Sequence, residues 1–142
     1  EGIREREETE ILNDLDVHEA WANQICRKTE EMPVIDWTKS NYSRMNLKNR
    51  NLSGIDFTGS LMKNCDFTAC NLTGVDFTGC NLTGAILAQN TFDGAKLEDI
   101  KIDQKNLQLF ENAGIAVNTD QTGPMNISVN RSVLSRKGNT AV

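Results

Sequence analysis

The residues able to do chemistry are few, and their spacing argues against catalysis. There is one histidine, His18, and no serine or cysteine stands at a spacing that would build a nucleophile and base relay with it. No glycine-rich phosphate loop lies between a strand and a helix. Four cysteines stand at 26, 65, 70 and 80. The last three form no C-x-x-C pair and His18 is far from them in sequence, so a zinc site is not expected. The remaining reactive groups are carboxylates. Asp36, Asp56 and Asp76 recur every twenty residues, and Glu98 and Asp99 follow Lys96 at the next step. A general acid and base need a paired geometry in a cleft, whereas this interval describes a repeated surface. The sequence predicts a chain that is not an enzyme and uses no cofactor or metal.

The element that must position these carboxylates is a repeat. From 35 to 109 a large apolar residue returns every five positions: Trp37, Tyr42, Leu47, Leu52, Phe57, Met62, Phe67, Leu72, Phe77, Leu82, Leu87, Phe92, Leu97, Ile102 and Leu107. Its clearest part, Ile55, Asp56, Phe57, Thr58, Gly59 and again 65–84, cycles through small or aliphatic, Asp or Asn, Leu or Phe, Thr, and Gly. A period of five suits neither a 3.6-residue helix nor a two-residue strand, so it means a coil whose faces repeat. The stretch resembles the pentapeptide-repeat proteins, over about half of the chain. The resemblance implies an all-β solenoid, a right-handed quadrilateral β-helix in which four pentapeptides make the four sides of one coil. Fifteen repeats then make about four coils, roughly 18 Å tall.

Four-fold winding stacks residues twenty apart at about 4.8 Å. The central columns are then apolar throughout: Leu47, Phe67, Leu87; Leu52, Leu72, Phe92; Phe57, Phe77, Leu97; Met62, Leu82, Ile102. These twelve are the expected structural core, at about 1.5–3 kcal/mol for each large side chain fully buried. Cys65, Cys70 and Cys80 fall in the first slot, where the resemblance places a small inward residue, and they read as buried filler. Cys65 and Cys70 would lie on adjacent sides, but nothing points to an oxidising compartment, so a disulfide is not expected. Arg50 and Lys105 put charge in the same inward slot, in the first and last coils, where long stems can reach out through the ends. Asn90, also there, requires an internal hydrogen-bond partner. Outside, Asp36, Asp56 and Asp76 with Glu98 and Asp99 make one acidic side, beside Thr38, Thr58 and Thr78. Like charges at this spacing repel by only ~1 kcal/mol in water, and Asp or Asn here also serves local backbone groups, as in turns. This side is the candidate interaction face, suited to a basic partner.

The flanks differ from the repeats. Residues 1–34 carry ten acids against four bases, 35–107 eight of each, and 108–142 two against three, so the acidity belongs to the N-terminal segment. From 9 to 32 the pattern is helical, with Ile11, Leu12 and Leu15 on a short face and Val17, Trp21 and Ile25 recurring at i, i+4, i+8. Asp16 and Glu19 read as a capping box that opens the main helix, which ends before Pro33. The segment 1–34 is expected to be a helical cap built around Trp21, covering the unpaired edge of the first coil, with His18 facing solvent or the cap. The β-helix occupies 35–109. A short closing helix over 104–113 has Leu107, Leu109 and Phe110 inward and Gly114 as its stop. Beyond 117 the composition is too polar for a second core, so 110–142 reads as the end of that helix followed by a disordered tail or linker.

The expected function is a non-catalytic, rigid platform for protein–protein interaction, or a spacer. The resemblance adds two alternatives: the repeat domain of a secreted bacterial effector acting in a host cell, and a DNA mimic acting on DNA gyrase. A mimic calls for a long, acid-rich rod, whereas these repeats are short and balanced in charge. The expected partner is a protein, with no direct nucleic-acid binding. No apolar run approaches the ~20 residues that span a bilayer. The chain is expected to be a monomer or a weak end-to-end dimer. It does not begin with Met, so it reads as a piece of a longer protein. Its first ten residues hold five glutamates and no apolar core, unlike a signal peptide. The expected location is the bacterial cytoplasm, or the host cytosol for an effector.

Overall fold

A computed structural model describes residues 2–24, 31–112, 116–123 and 126–133. Residues twenty apart are hydrogen-bonded neighbours. Parallel bridges join Asn41, Leu61, Asn81 and Lys101 in one ladder, Asn46, Asp66 and Ile86 in a second, Asn51, Asn71 and Thr91 in a third, and Asp56, Asp76 and Lys96 in a fourth. The repeats thus form a β-helix with four ladders.

The five-residue unit follows from backbone accounting. Its first and third residues face inward and its second faces out. The fourth and fifth turn the corner. The fifth is left-handed all along the chain, from Lys39 at φ 52° through Gly59 at 76° to Asp99 at 55°, which is why glycine is the commonest residue there. In the unit beginning at Val75, the first N–H donates to Leu72 O within the turn at 3.1 Å. Asp76 N–H donates to Ile55 O in the preceding coil at 3.0 Å, while Phe77 and Gly79 donate to Lys96 O and Glu98 O in the following coil, both at 3.0 Å. Only the fourth N–H is left over. Thr78 N–H is satisfied by Asp76 Oδ1 at 2.9 Å. A buried or half-buried N–H needs a partner, so this ladder calls for Asp or Asn in the second slot.

All twelve central residues of the expected core are buried. Phe57 stacks on Phe77 with ring centroids 5.9 Å apart, and Phe67 meets Phe77 edge-on at 5.9 Å. Four side chains in the inward first slot, Ser60, Cys70, Cys80 and Asn90, share one device: each donates to a central-residue carbonyl one coil below. Ser60 Oγ donates to Trp37 O at 3.3 Å, Cys70 Sγ to Leu47 O at 2.8 Å and Cys80 Sγ to Phe57 O at 3.1 Å. Asn90 Nδ2 donates to Phe67 O at 2.5 Å and to Cys70 O at 3.2 Å. These carbonyls satisfy the Asn90 amide nitrogen, while its Oδ1 is buried without a hydrogen-bond partner.

Helix α1 (Glu8–Ala22) runs uninterrupted and buries Ile11, Leu15, His18 and Ala22. Spacings of four, three and four place those side chains on one stripe, which joins the core through Ile11 and Leu15. Two expectations are corrected here. Asp16 and Glu19 do not open a helix; they lie inside one, and both carboxylates reach Arg50, at 3.0 and 2.6 Å. The docking stripe is also rotated from the expected Val17 and Trp21 face, leaving Val17 51% exposed, because His18 acts as an inward residue although its type reads as polar. Ile25 lies outside the described residues. Ahead of α1, Arg4 N–H donates to Lys39 O at 2.6 Å and Asn41 N–H to Arg4 O at 3.0 Å, so this segment pairs with the edge of the first coil.

At the other end, β1 (Ile100–Ile102) leads into α2 (Gln104–Asn112). Asp103 joins the two: Oδ1 accepts Asn106 N–H at 3.0 Å and Oδ2 accepts Gly84 N–H at 2.9 Å. Leu107 and Phe110 are buried and Leu109 packs against the core. Lys105 does not snorkel from a coil, since α2 has already begun and holds it exposed. Asn106 is buried in its stead, with Nδ2 on Ala85 O at 3.0 Å.

The expectation of a tail or linker does not hold over β2 (Ala116–Gly123) and β3 (Asn126–Val133). They form an antiparallel pair, and β3 pairs with β1 in the register Ile100 with Val129 and Ile102 with Ile127, giving the order β1-β3-β2. Polar composition excludes a second core, but a hairpin needs only an existing strand edge to extend. The two-residue alternation of Ile127 and Val129 was its sequence signal. Ala113, Gly114 and residues 134–142 lie outside the described residues.

Candidate functional site

The ladder places Asp56 beside Asp76 and Asp76 beside Lys96. Asp36 lies ahead of Asp56 on the same side, since Lys39 N–H donates to Thr58 O at 2.9 Å. Asp36, Asp56, Glu98 and Asp99 are exposed and Asp76 is half-buried. Each of the three aspartates commits Oδ1 to its own turn. Asp36 Oδ1 accepts Thr38 N–H at 3.0 Å and Thr38 Oγ1–H at 2.6 Å. The corresponding distances are 2.9 and 2.5 Å at Asp56, and 2.9 and 2.6 Å at Asp76. Asp36 also lies 3.7 Å from Arg4 Nη2. The Thr38 hydroxyl, then the Thr38 N–H, hold the Asp36 carboxyl below its usual range. Asp99 occupies a left-handed corner, while Glu98 offers its carbonyl to Gly79. One carboxylate oxygen of each stripe aspartate is not used by its turn, so the side carries charge outward and structure inward.

The other reactive groups are built into the fold. His18 Nε2 lies 2.8 Å from Ser53 O, with ring centroids 5.6 Å from Trp21 and 6.3 Å from Trp37, so it fastens α1 to the coil. Cys65, Cys70 and Cys80 are free and buried. Burial pushes all three thiols up, Cys70 to about 11 and Cys80 to about 12, which keeps them protonated and unreactive near neutral pH. Among the described residues no helix is long and apolar enough to cross a membrane.

Sequence reasoning found Arg50 as an anomaly but not its partners. Glu19 holds it with Oε1 and accepts Asn51 N–H with Oε2 at 2.8 Å. A carboxylate thirty-one positions away gives no periodic signal. Arg6 was also missed: its guanidinium pairs with Asp14, and with Glu10 at 3.2 Å.

The family model of pentapeptide repeats, in eight copies, matches residues 40–79, 51–89 and 65–104. No curated protein matches the chain. Among solved structures, the pentapeptide repeat protein Rfr23 from the cyanobacterium Cyanothece 51142 is similar at 28% identity and a TM-score of 0.40, over 41% of this chain and 40% of that one. The chain therefore spans well under half of that protein's length. A pentapeptide repeat protein of the Arabidopsis thaliana thylakoid lumen is similar at 17% identity and a TM-score of 0.25, over 59% of this chain and 81% of that one. The five-residue register, the twenty-residue ladders and the matched span agree: residues 40–104 of the chain are pentapeptide repeats.

Proposed function

We propose that this chain is a non-catalytic, rigid protein-interaction platform: a rod of about four right-handed coils, closed by α1 and α2, that presents its acidic side to a basic protein surface. The observation that carries the reading is the double use of Asp36, Asp56 and Asp76. One oxygen of each is committed to a turn, and a second one is left for a ligand at the spacing of the ladder. Rigidity supports it as well, because fixed columns lose little conformational freedom on binding. The carboxylates lie on the outside of a filled coil, which suits recognition and not catalysis.

The test separates charge from structure. Changing Asp36, Asp56 and Asp76 together to Asn keeps the oxygen that accepts the Thr N–H while removing the charges. The expected result is an unchanged circular dichroism spectrum and an affinity pull-down that loses its basic partners. Identical partner sets for the two proteins would sink the reading.

A further inference from the structure

The side of the coil that follows the acidic one carries the opposite charge. Its ladder runs through Asn41, Leu61, Asn81 and Lys101. Arg44 N–H donates to Lys63 O at 2.9 Å, which places these two on the same side in successive coils. Arg44, Lys63 and Lys101 are all exposed, and none of them enters an ion pair among the described residues. The carboxylates of this side have other work: Asp103 is buried where α2 begins, and Glu5, at the lower edge, meets Asn41 Nδ2 at 3.2 Å.

Four pentapeptides to a coil set this basic side at a right angle to the acidic one. When two copies stand side by side with parallel axes, the acidic side of one can face the basic side of the other. The strands then run in opposite directions across the contact, so the second position of a unit lies opposite the fourth. With no axial shift, Lys63 meets Asp56 in the second coil and Lys101 meets Glu98 in the last. Arg44 falls beside Asp36 in the first coil, Lys39 beside Glu5, and Asp76 faces Thr83. One sequence builds both faces with the same rise of about 4.8 Å per coil, so a match at one level is kept at the next. The corner between the two sides carries Gly59 and Gly79, whose lack of side chains lets the copies approach.

We propose that a partner of the acidic side is a second copy of this chain, held through Arg44, Lys63 and Lys101, and that the contact closes as a ring of four parallel coils. A contact between two different patches closes only when its rotation divides the circle and carries no axial shift. The right angle between the two sides supplies a quarter turn, and zero shift is the setting at which the charges match. The contact is lateral, so both capped ends of the coil stay free of it. It rests on the reading of the acidic side as an interaction face.

Sedimentation velocity of the full chain at low and high salt tests the ring. The expected species at low salt is four chains, with association at least ~10-fold weaker at high salt because the paired charges lie at the surface. Glu98 and Lys101 are exposed, and Glu98→Lys or Lys101→Glu sets like charges across the contact, so each variant alone is expected to be monomeric. Mixing the two variants restores the four-chain species, because they alternate around the ring and every contact again joins a lysine to a glutamate. A wild-type monomer or dimer at low salt, assembly unchanged in either variant, or variants that stay monomeric when mixed overturns the proposal. The two readings fail separately. A monomer that still captures basic proteins in the pull-down removes the ring alone, and a ring that captures none removes only the wider platform.

Discussion

A single side chain in each repeat decides whether the corner closes. Asp56 accepts Thr58 N–H at 2.9 Å and the Thr58 hydroxyl at 2.5 Å, and that N–H is the one the ladders leave over. Asp56→Ala would strand it, at a cost of about 1–2 kcal/mol. Asp56→Asn keeps an oxygen in place and is expected to cost less than about 0.5 kcal/mol, because the charge itself is exposed. Urea unfolding of the two variants checks this; equal losses would show that the charge, not the acceptor, holds the turn. At this scale the sequence was most informative. The Asp-x-Thr spacing is local, so both partners appear within three residues of each other. Asn90 shows the limit: its slot said that it faces inward, but Phe67 O and Cys70 O become its neighbours only when the coil closes.

The join between α1 and the first coil is the element on which the N-terminal half depends. Glu19 serves two groups, the half-buried Arg50 guanidinium at 2.6 Å and Asn51 N–H at 2.8 Å. Glu19→Ala strands Asn51 N–H and leaves the Arg50 guanidinium only the exposed Asp16 carboxylate, and is expected to cost about 2–4 kcal/mol. Asp16 touches the same guanidinium at 3.0 Å but is 68% exposed, so Asp16→Ala is expected to cost under about 1 kcal/mol. Thermal unfolding of both variants checks the contrast, and equal losses would contradict it. The existence of α1 was legible, because Ile11 and Leu15 repeat at helical spacing. Its face was not. A stripe is assigned by residue type, and His18 counts as polar until a carbonyl such as Ser53 O is found opposite it. The β2 and β3 hairpin escaped for a related reason: its pairing edge, β1, belongs to another element.

Over the whole molecule, carboxylates held in turns link the fold to pH. Asp36 and Asp66 lie below the ordinary value of 3.8. At Asp66, burial pushes the carboxyl up, but hydrogen bonds from the Thr68 hydroxyl and N–H, with Lys48 nearby, outweigh it. A folded value below the unfolded one adds stability that is complete above the unfolded value and disappears as pH falls through the folded value. The urea midpoint is therefore expected to hold between pH 7 and pH 5 and to fall below about pH 4. The Asp36→Asn, Asp66→Asn double variant should fall less steeply, and an identical acid limb would refute the assignment. The same molecule divides what one dimension can specify from what three must. The five-residue period by itself determined a coil with repeating faces, and the family resemblance that it carries implied four repeats to a turn, and with them the inward columns from Leu47 to Ile102 and the outward run of Asp36, Asp56 and Asp76. A regular coil maps position along the chain directly onto position in space. Tertiary structure alone decided the seating of α1 through Glu19 and His18 and the pairing of β3 with β1. Those contacts join segments of unrelated period, and only closing the fold brings them within hydrogen-bond reach.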